Sequence, residues 1–328
     1  MKQSVMTRTL VSIAFAATAA AASAQNWTPQ KNVEIVAASG PGGSNDKTAR
    51  TIERGLAAMK LVPATMTVVN KPGGGGNIAA TYVAQRAGDP HTLLVATSSN
   101  ASNHIVGATT LTYSDFTPIA MMLQDYVVFA VAANSPMTSG KDLADRFRKD
   151  PRSVSVGFAN TFGGSRHVAA GLLLKALGGN PRDLKTVVFK GSAEAIPALL
   201  GGHIDLAVIG AGNAVSHVAN GRMRVLAVGA PQRLTGVLAN APTWREQGVN
   251  VVSGSWRGIF APKNLNAAQI AYWENALRKV SETPEWKSDL EKNFWSPHFL
   301  TGAALKKELE QEYAADKAVL VDLGLAKH

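Results

Sequence analysis

Five loops carry the residue types from which this chain could build a chemical site. They cover residues 39–46 (SGPGGSND), 70–79 (NKPGGGGNIA), 97–103 (TSSNASN), 159–167 (ANTFGGSRH) and 189–195 (FKGSAEA). Each is rich in Gly, Ser, Thr or Asn and runs into a segment with helical spacing. The first N–H groups of a helix lack partners and the helix dipole favours negative charge there, so such loops are ready anion sites, and glycine lets the backbone approach the ligand closely. One loop of this kind is as well explained as a tight turn. Five of them are better explained by a shared anion-binding cleft.

Catalytic alternatives fail on spacing. GPGGSN and GGGGNI both lack the third glycine of G-x-G-x-x-G, and neither is followed by a ribose-binding acid at the end of the next strand. No G-x-x-x-x-G-K-[ST] occurs. GGSRH has His167 where the last glycine of a nucleophile elbow belongs. The seven histidines are dispersed without an H-E-x-x-H pair, and the absence of cysteine removes thiol catalysis, thiolate metal sites and disulfides. No cofactor or metal is expected. An exported α/β hydrolase stays open as the alternative, because it needs only a nucleophile, a base and an acid brought together by the fold.

The elements that must position these loops alternate along the chain. Strands are expected at 33–39, 65–70, 92–98, 126–133, 153–160, 185–191, 204–210 and 224–229, most of them near-continuous apolar runs of the kind buried on both faces. Helices are expected between them, at 46–60, 165–177 and 193–200 among others. Ser44 or Asn45 can cap the first, and Ala49, Ile52, Leu56 and Met59 then recur at helical spacing. Strand and helix in regular alternation argue for α/β with a doubly wound sheet, in which ligands bind beyond the carboxyl ends of the strands. From about Ala267 to Leu325 the pattern is amphipathic helix with no strand.

Lys2 and Arg8, an apolar stretch from Leu10 to about Ala22, and Ala22-Ser23-Ala24 read as a secretory signal peptide cleaved after Ala24, which predicts a soluble periplasmic chain. The remainder of the 328 residues suffices for two domains of roughly 150. The formal charge of +10 falls to +8 when Lys2 and Arg8 leave with the leader. The basic residues are scattered, with no basic helix or stacking aromatics beside their densest cluster, Arg146 to Arg152. That pattern suits a small anion and not nucleic acid.

GPGGSNDKTAR followed by VVNKPGGGGNIAA, then KGSAEAIPALLGGHIDLAV, GRMRVLAV, APTWREQGV and SGSWRGIFAPK, resembles the substrate-binding receptors of tripartite tricarboxylate transporters, the TctC or Bug family. The resemblance covers nearly the whole chain after the leader. It implies a two-lobed periplasmic binding protein of type II, a Venus flytrap with mixed sheets and a helical C-terminal tail. Such a receptor closes on a small organic carboxylate and, as a monomer, hands it to membrane transporter subunits. A receptor feeding a sensor kinase would look the same. The chain is expected to cross between lobes near Gln124 and again near Gly229 to Arg233. Lobe one would then hold 25–123 and 232–328, and lobe two 124–231.

By the same resemblance, lobe one would contact ligand through Ser39, Gly40, Pro41, Gly42, Gly43, Asp46, Gly75, Gly76, Ser98 and Ser99. Lobe two would contribute Asn160, Thr161, Gly163, Ser165, Arg166, Lys190, Gly191 and Ser192. Asp46 is an odd partner for an anion and fits better as a helix cap or the holder of a water. Arg166 and Arg257 suit a second carboxylate as bidentate donors, or equally a salt bridge. The chain departs from the family where an aspartate commonly follows the IDLAV strand. Ile209-Gly210 stands there, leaving a less polar wall, and Phe162 could pack against an apolar part of the ligand or into the protein.

Overall fold

The computed structural model describes residues 27–159, 161–189 and 191–327. The expected leader, Asn160 and Lys190 lie outside the described residues. Strands β1 (Val33–Ala37), β2 (Met66–Asn70) and β3 (Thr92–Thr97) pair in parallel, and helices α1 (Ser44–Ala58), α2 (Asn77–Ala84) and α3 (Ser99–Ile105) follow them in turn. After β4 (Phe116–Ala132) come α4 (Gly140–Lys149), β5 (Ser155–Ala159), α5 (Ser165–Ala176), β6 (Lys185–Phe189), α6 (Ser192–Leu200), β7 (Leu206–Gly210), α7 (Ala211–Ala219) and β8 (Met223–Val228). The chain ends with β9 (Gly254–Pro262), α8 (Ala267–Glu282), α9 (Pro284–Asn293), β10 (Ser296–Thr301) and α10 (Gly302–Asp322).

The alternation read from sequence is present, but the sheet is mixed. Its order is β2-β1-β3-β9-β4-β7-β5-β6, with β8 and β10 also pairing with β4. β9 enters antiparallel between β3 and β4, and β7 and β8 run antiparallel to β4. The 17-residue β4 belongs to both halves of the molecule. As far as Tyr126 it pairs with β9 and β10, and from Val127 onward with β7 and β8. Asp125 therefore sits where one half gives way to the other.

Each half is buried on both faces. In the first, Ile35, Leu93 and Val95 point toward Ile52 and Leu56 of α1, Trp273 and Leu277 of α8, and Trp286 of α9; Val36, Leu94 and Phe260 point the other way, toward Leu305 and Leu309 of α10. In the second, Phe129, Phe158 and Val208 pack with Leu173 and Trp244, while Val128 and Ile209 pack with Leu199 and Leu238. Alternating strand residues thus feed opposite cores. Each fully buried Leu, Ile or Phe contributes roughly 1.5–3 kcal/mol, and without cysteine this burial carries the fold.

Two expectations change. The helical tail contains a strand, β10, whose short SPHFLT sequence carries a proline and lies at the sheet margin on β4. Residues 234–251, expected with the first lobe, pack their Leu234, Leu238, Trp244 and Val251 into the second half's cores, with Trp244 edge-on to Phe129. The physical return to the first half comes at Ser253–Gly254, where Gly229 N donates to Val127 O and Ser253 N to Gly229 O, both at 2.8 Å. α10 also reaches beyond the first half: its Val319 and Leu320 pack against Ile105 of α3 and Val168 of α5.

Candidate functional site

The cleft between the halves has a volume of about 660 Å3. Five helices of eight or more residues begin at its edge, α1, α2, α5, α6 and α7, with Gly43, Gly76, Gly164, Gly191 and Gly210 as N-caps and no side-chain cap bond from any of them. Of the helices that start elsewhere, α4, α8 and α9 are capped by Ser139, Asn266 and Thr283, while α10 has no side-chain cap bond from Thr301. Uncapped N-termini leave N–H groups for another acceptor.

The first loop is held from behind. Asp46 is buried and accepts from Gly42 N at 2.8 Å, from Asn70 Nδ2 at 2.8 Å and from Arg50 Nε. Burial raises its pKa, but the bonds from Arg50, Asn70 and Gly42 outweigh that and hold the carboxyl below its ordinary value. Ser39 Oγ accepts from Asp46 N, and Asn70 Nδ2 also reaches Ser39 O. The second loop is secured by Asn103, whose Nδ2 donates to Gly75 O at 3.0 Å. Gly73 to Gly76 all have positive φ, from 58 to 119 degrees, a run that only glycine adopts without strain.

Two arginines and one aspartate supply the charge. Arg257, on β9 and 5% exposed, donates from Nη2 to Asp125 Oδ2 at 2.9 Å and from Nε to Asn45 Oδ1 at 3.3 Å, and lies over the Trp295 ring. Its Nη1 is buried with no partner. Arg166, in the first turn of α5, has no carboxylate within 4.0 Å among the described residues, and its Nε is buried and unpartnered. Burial lowers the Arg166 pKa, the Asp125 charge opposes that and Arg257 adds to it. The described part of this cluster carries one net positive charge.

Of the residues singled out by sequence, Ser39, Gly43, Gly75, Gly76, Ser99, Thr161, Ser165, Arg166, Gly191, Ser192 and Arg257 line this cleft. Gly40, Pro41, Gly42, Asp46, Ser98 and Gly163 do not. Ser98 is buried and pairs its Oγ with Ser255 Oγ at 2.8 Å, tying β3 to β9. Gly163 N donates to His167 Nδ1 at 3.0 Å, and His167 stacks on Phe158, its pKa pushed down to about 4 by burial. Phe162 is 52% exposed, edge-on to Phe158 and His167, and is not part of the lining. Sequence reasoning missed Asn45, Asn100, Asp125, Asn213 and Ser255. Asp125 left one signal, a single acid inside the apolar run of β4.

Another groove, of about 700 Å3, lies between α1 and α9. It holds none of the ligand contacts expected from sequence, and its Arg54 is already paired with Asp289 at 2.9 Å. Among the described residues no group of three or more His, Asp or Glu could hold a metal, and no helix is long and apolar enough to cross a membrane.

Residues 48–325 match the family described as tripartite tricarboxylate transporter family receptor. Protein BugT of Bordetella pertussis is 28% identical over 289 residues, spanning 85% of this chain and 86% of that protein. Among solved structures, R. palustris Rpa4515 with adipate superposes with a TM-score of 0.77 at 25% identity, covering 92% of this chain and 99% of that one. MatC from Rhodopseudomonas palustris with bound malate gives 0.71 at 25% identity, covering 89% and 99%.

Proposed function

Because the chain belongs to the tripartite tricarboxylate transporter receptor family, we propose that its cleft is the ligand site of an extracytoplasmic receptor that closes on a small organic carboxylate. The family is one of receptors, and the chain is a receptor, not an enzyme. The observation that carries the carboxylate reading is the pair of buried arginine nitrogens without protein partners, Arg166 Nε and Arg257 Nη1, in a cleft rimmed by five helix N-termini that have glycine N-caps. A carboxylate supplies both kinds of donor with acceptors. Relatives in the fold solved with adipate and malate support the same class.

Lobe one would then comprise 27–123 and 254–327, and lobe two the described residues of 127–253, with the crossings at Gln124–Tyr126 and Ser253–Gly254. Ligand closes the lobes only in so far as it touches both, which a cleft lined by Ser39 and Gly75 on one side and Ser165 and Ser192 on the other allows. The N-terminal leader would export the chain to the periplasm, and the closed form would be presented to membrane subunits of a transporter.

The test is a thermal-shift screen of the mature chain against mono-, di- and tricarboxylates with neutral sugars as controls. A carboxylate at 100 times its Kd should stabilise the fold by about 2.7 kcal/mol, and Arg166→Ala should remove most of that gain. A shift with sugars alone, or a gain unaltered in Arg166→Ala, would overturn the reading.

A further inference from the structure

Three polar side chains from three elements converge on the position that a Cβ of residue 210 would take. A Cβ placed there would lie 3.2 Å from Asp125 Oδ1, 3.3 Å from Arg166 Nη2 and 3.3 Å from Asn213 Nδ2. Asp125, Arg166 and Asn213 all line the cleft and Gly210 itself does not, so one acceptor and two donors converge over Gly210 at a corner of the ligand site. Asp125 Oδ1 and Arg166 Nη2 are at most 6.5 Å apart, the sum of their distances from that point.

Asp125 is 6% exposed and only its Oδ2 is engaged, by Arg257, so Oδ1 is a carboxylate oxygen with no protein donor among the described residues. A ligand presenting only carboxylate oxygens would set negative charge against it. A ligand with an O–H or N–H beside its carboxylate would satisfy both groups at once, the carboxylate on Arg166 and Asn213, the donor on Asp125. Resting on the carboxylate reading above, we infer that the receptor selects 2-hydroxy or 2-amino carboxylates over the same acids without the donor, and that Asp125 is the selecting residue. The short span between Oδ1 and Nη2 suits a donor on the carbon next to the carboxylate. A longer chain would carry its donor past the corner.

The experiment compares matched acids on the wild-type chain and on Gly210→Ala by calorimetric titration: propionate, lactate and alanine, then succinate, malate and aspartate. At φ −63 and ψ 143 residue 210 accepts alanine without backbone strain, and the atoms it would meet are side-chain ends that can give way. In the wild type a donor-bearing acid should bind about tenfold or more tightly than its parent, the scale of one charge-assisted hydrogen bond. In Gly210→Ala the methyl fills the corner and that ratio should fall toward one. Equal binding of parent and donor-bearing acids by the wild type would overturn this inference while leaving the carboxylate reading standing. A ratio unchanged in Gly210→Ala would overturn the corner as its source, and binding of none of the six would overturn this inference, whereas the carboxylate reading falls only if the wider screen of mono-, di- and tricarboxylates gives no shift.

Discussion

Asp125 Oδ2 and Arg257 Nη2 stand 2.9 Å apart at the point where β4 passes from one half of the molecule to the other. Both side chains are almost fully buried, at 7% and 6% exposure. The pair joins the crossing strand to the start of β9, so it braces the geometry of the cleft as well as charging it.

Breaking that pair from one side strands the other charge. Arg257→Ala should cost about 3–5 kcal/mol of stability, read as the urea midpoint of the ligand-free chain. Asp125→Ala combined with Arg257→Ala should cost less than the two single changes added together. A loss below about 1 kcal/mol for Arg257→Ala would show that Asp125 is solvated in the folded protein.

Arg166 predicts the opposite separation. Its guanidinium is desolvated without an ion pair within 4.0 Å among the described residues, so removing it relieves a burial cost. Arg166→Leu should leave the melting temperature of the ligand-free chain unchanged or raised, while carboxylate affinity drops at least about tenfold, the weight of one charged hydrogen bond. A marked loss of stability would place Arg166 in the scaffold.

His167 should make the fold sensitive to mild acid. Its folded pKa of about 4 lies below the ordinary 6.5, so the unfolded chain binds the proton more readily throughout that window. Stability falls as pH drops from 6.5 toward 4, by roughly 3 kcal/mol at most at 1.36 kcal/mol per pH unit. His167→Gln, which keeps an acceptor for Gly163 N, should flatten the decline in melting temperature over that range. A parallel decline in both proteins would refute the assignment.

At the alkaline end the governing groups are on α10. Burial, with Asp316 and Glu308 nearby, pushes Glu312 up to about 8 despite the hydrogen bond from Trp256 Nε1, and burial pushes Asp316 up to about 7. The folded chain holds these protons longer than the unfolded one, so stability is lost as pH rises from the ordinary carboxylate range through 7 to 8. Glu312→Gln should be more resistant to urea than the wild type at pH 8.5 and differ little at pH 5. The reverse order would mean that the Glu312 carboxylate is ionised in the native state.

Much of this was legible in the sequence where one element decides the outcome. The run at 92–98 became β3 within a residue because a strand buried on both faces must be continuously apolar, and the β-branched run at 185–191 became β6, a less buried strand at the sheet edge. The glycine loops were visible because their backbone needs glycine, as at Gly73 to Gly76. The first half of β4 was missed because Pro118 interrupts it, at a register shift in its pairing with β9. β9 was missed because Arg257 breaks its apolar pattern. That arginine is tolerated only because Asp125, 132 positions earlier in the chain, lies against it, and no local pattern reports a partner so distant. The same holds for Asn213, which reaches the cleft through the position of α7 and not through its own neighbours in sequence.

The shared strand also makes the two lobes inseparable as material. A cut anywhere in β4 takes partners from β9 and β10 on one side or from β7 and β8 on the other, and leaves a raw edge of unpaired N–H and C=O groups. Neither lobe is therefore a module that could be grafted, shuffled or expressed alone. Changes in specificity are therefore expected to come through the side chains that line the cleft and not through exchange of lobes.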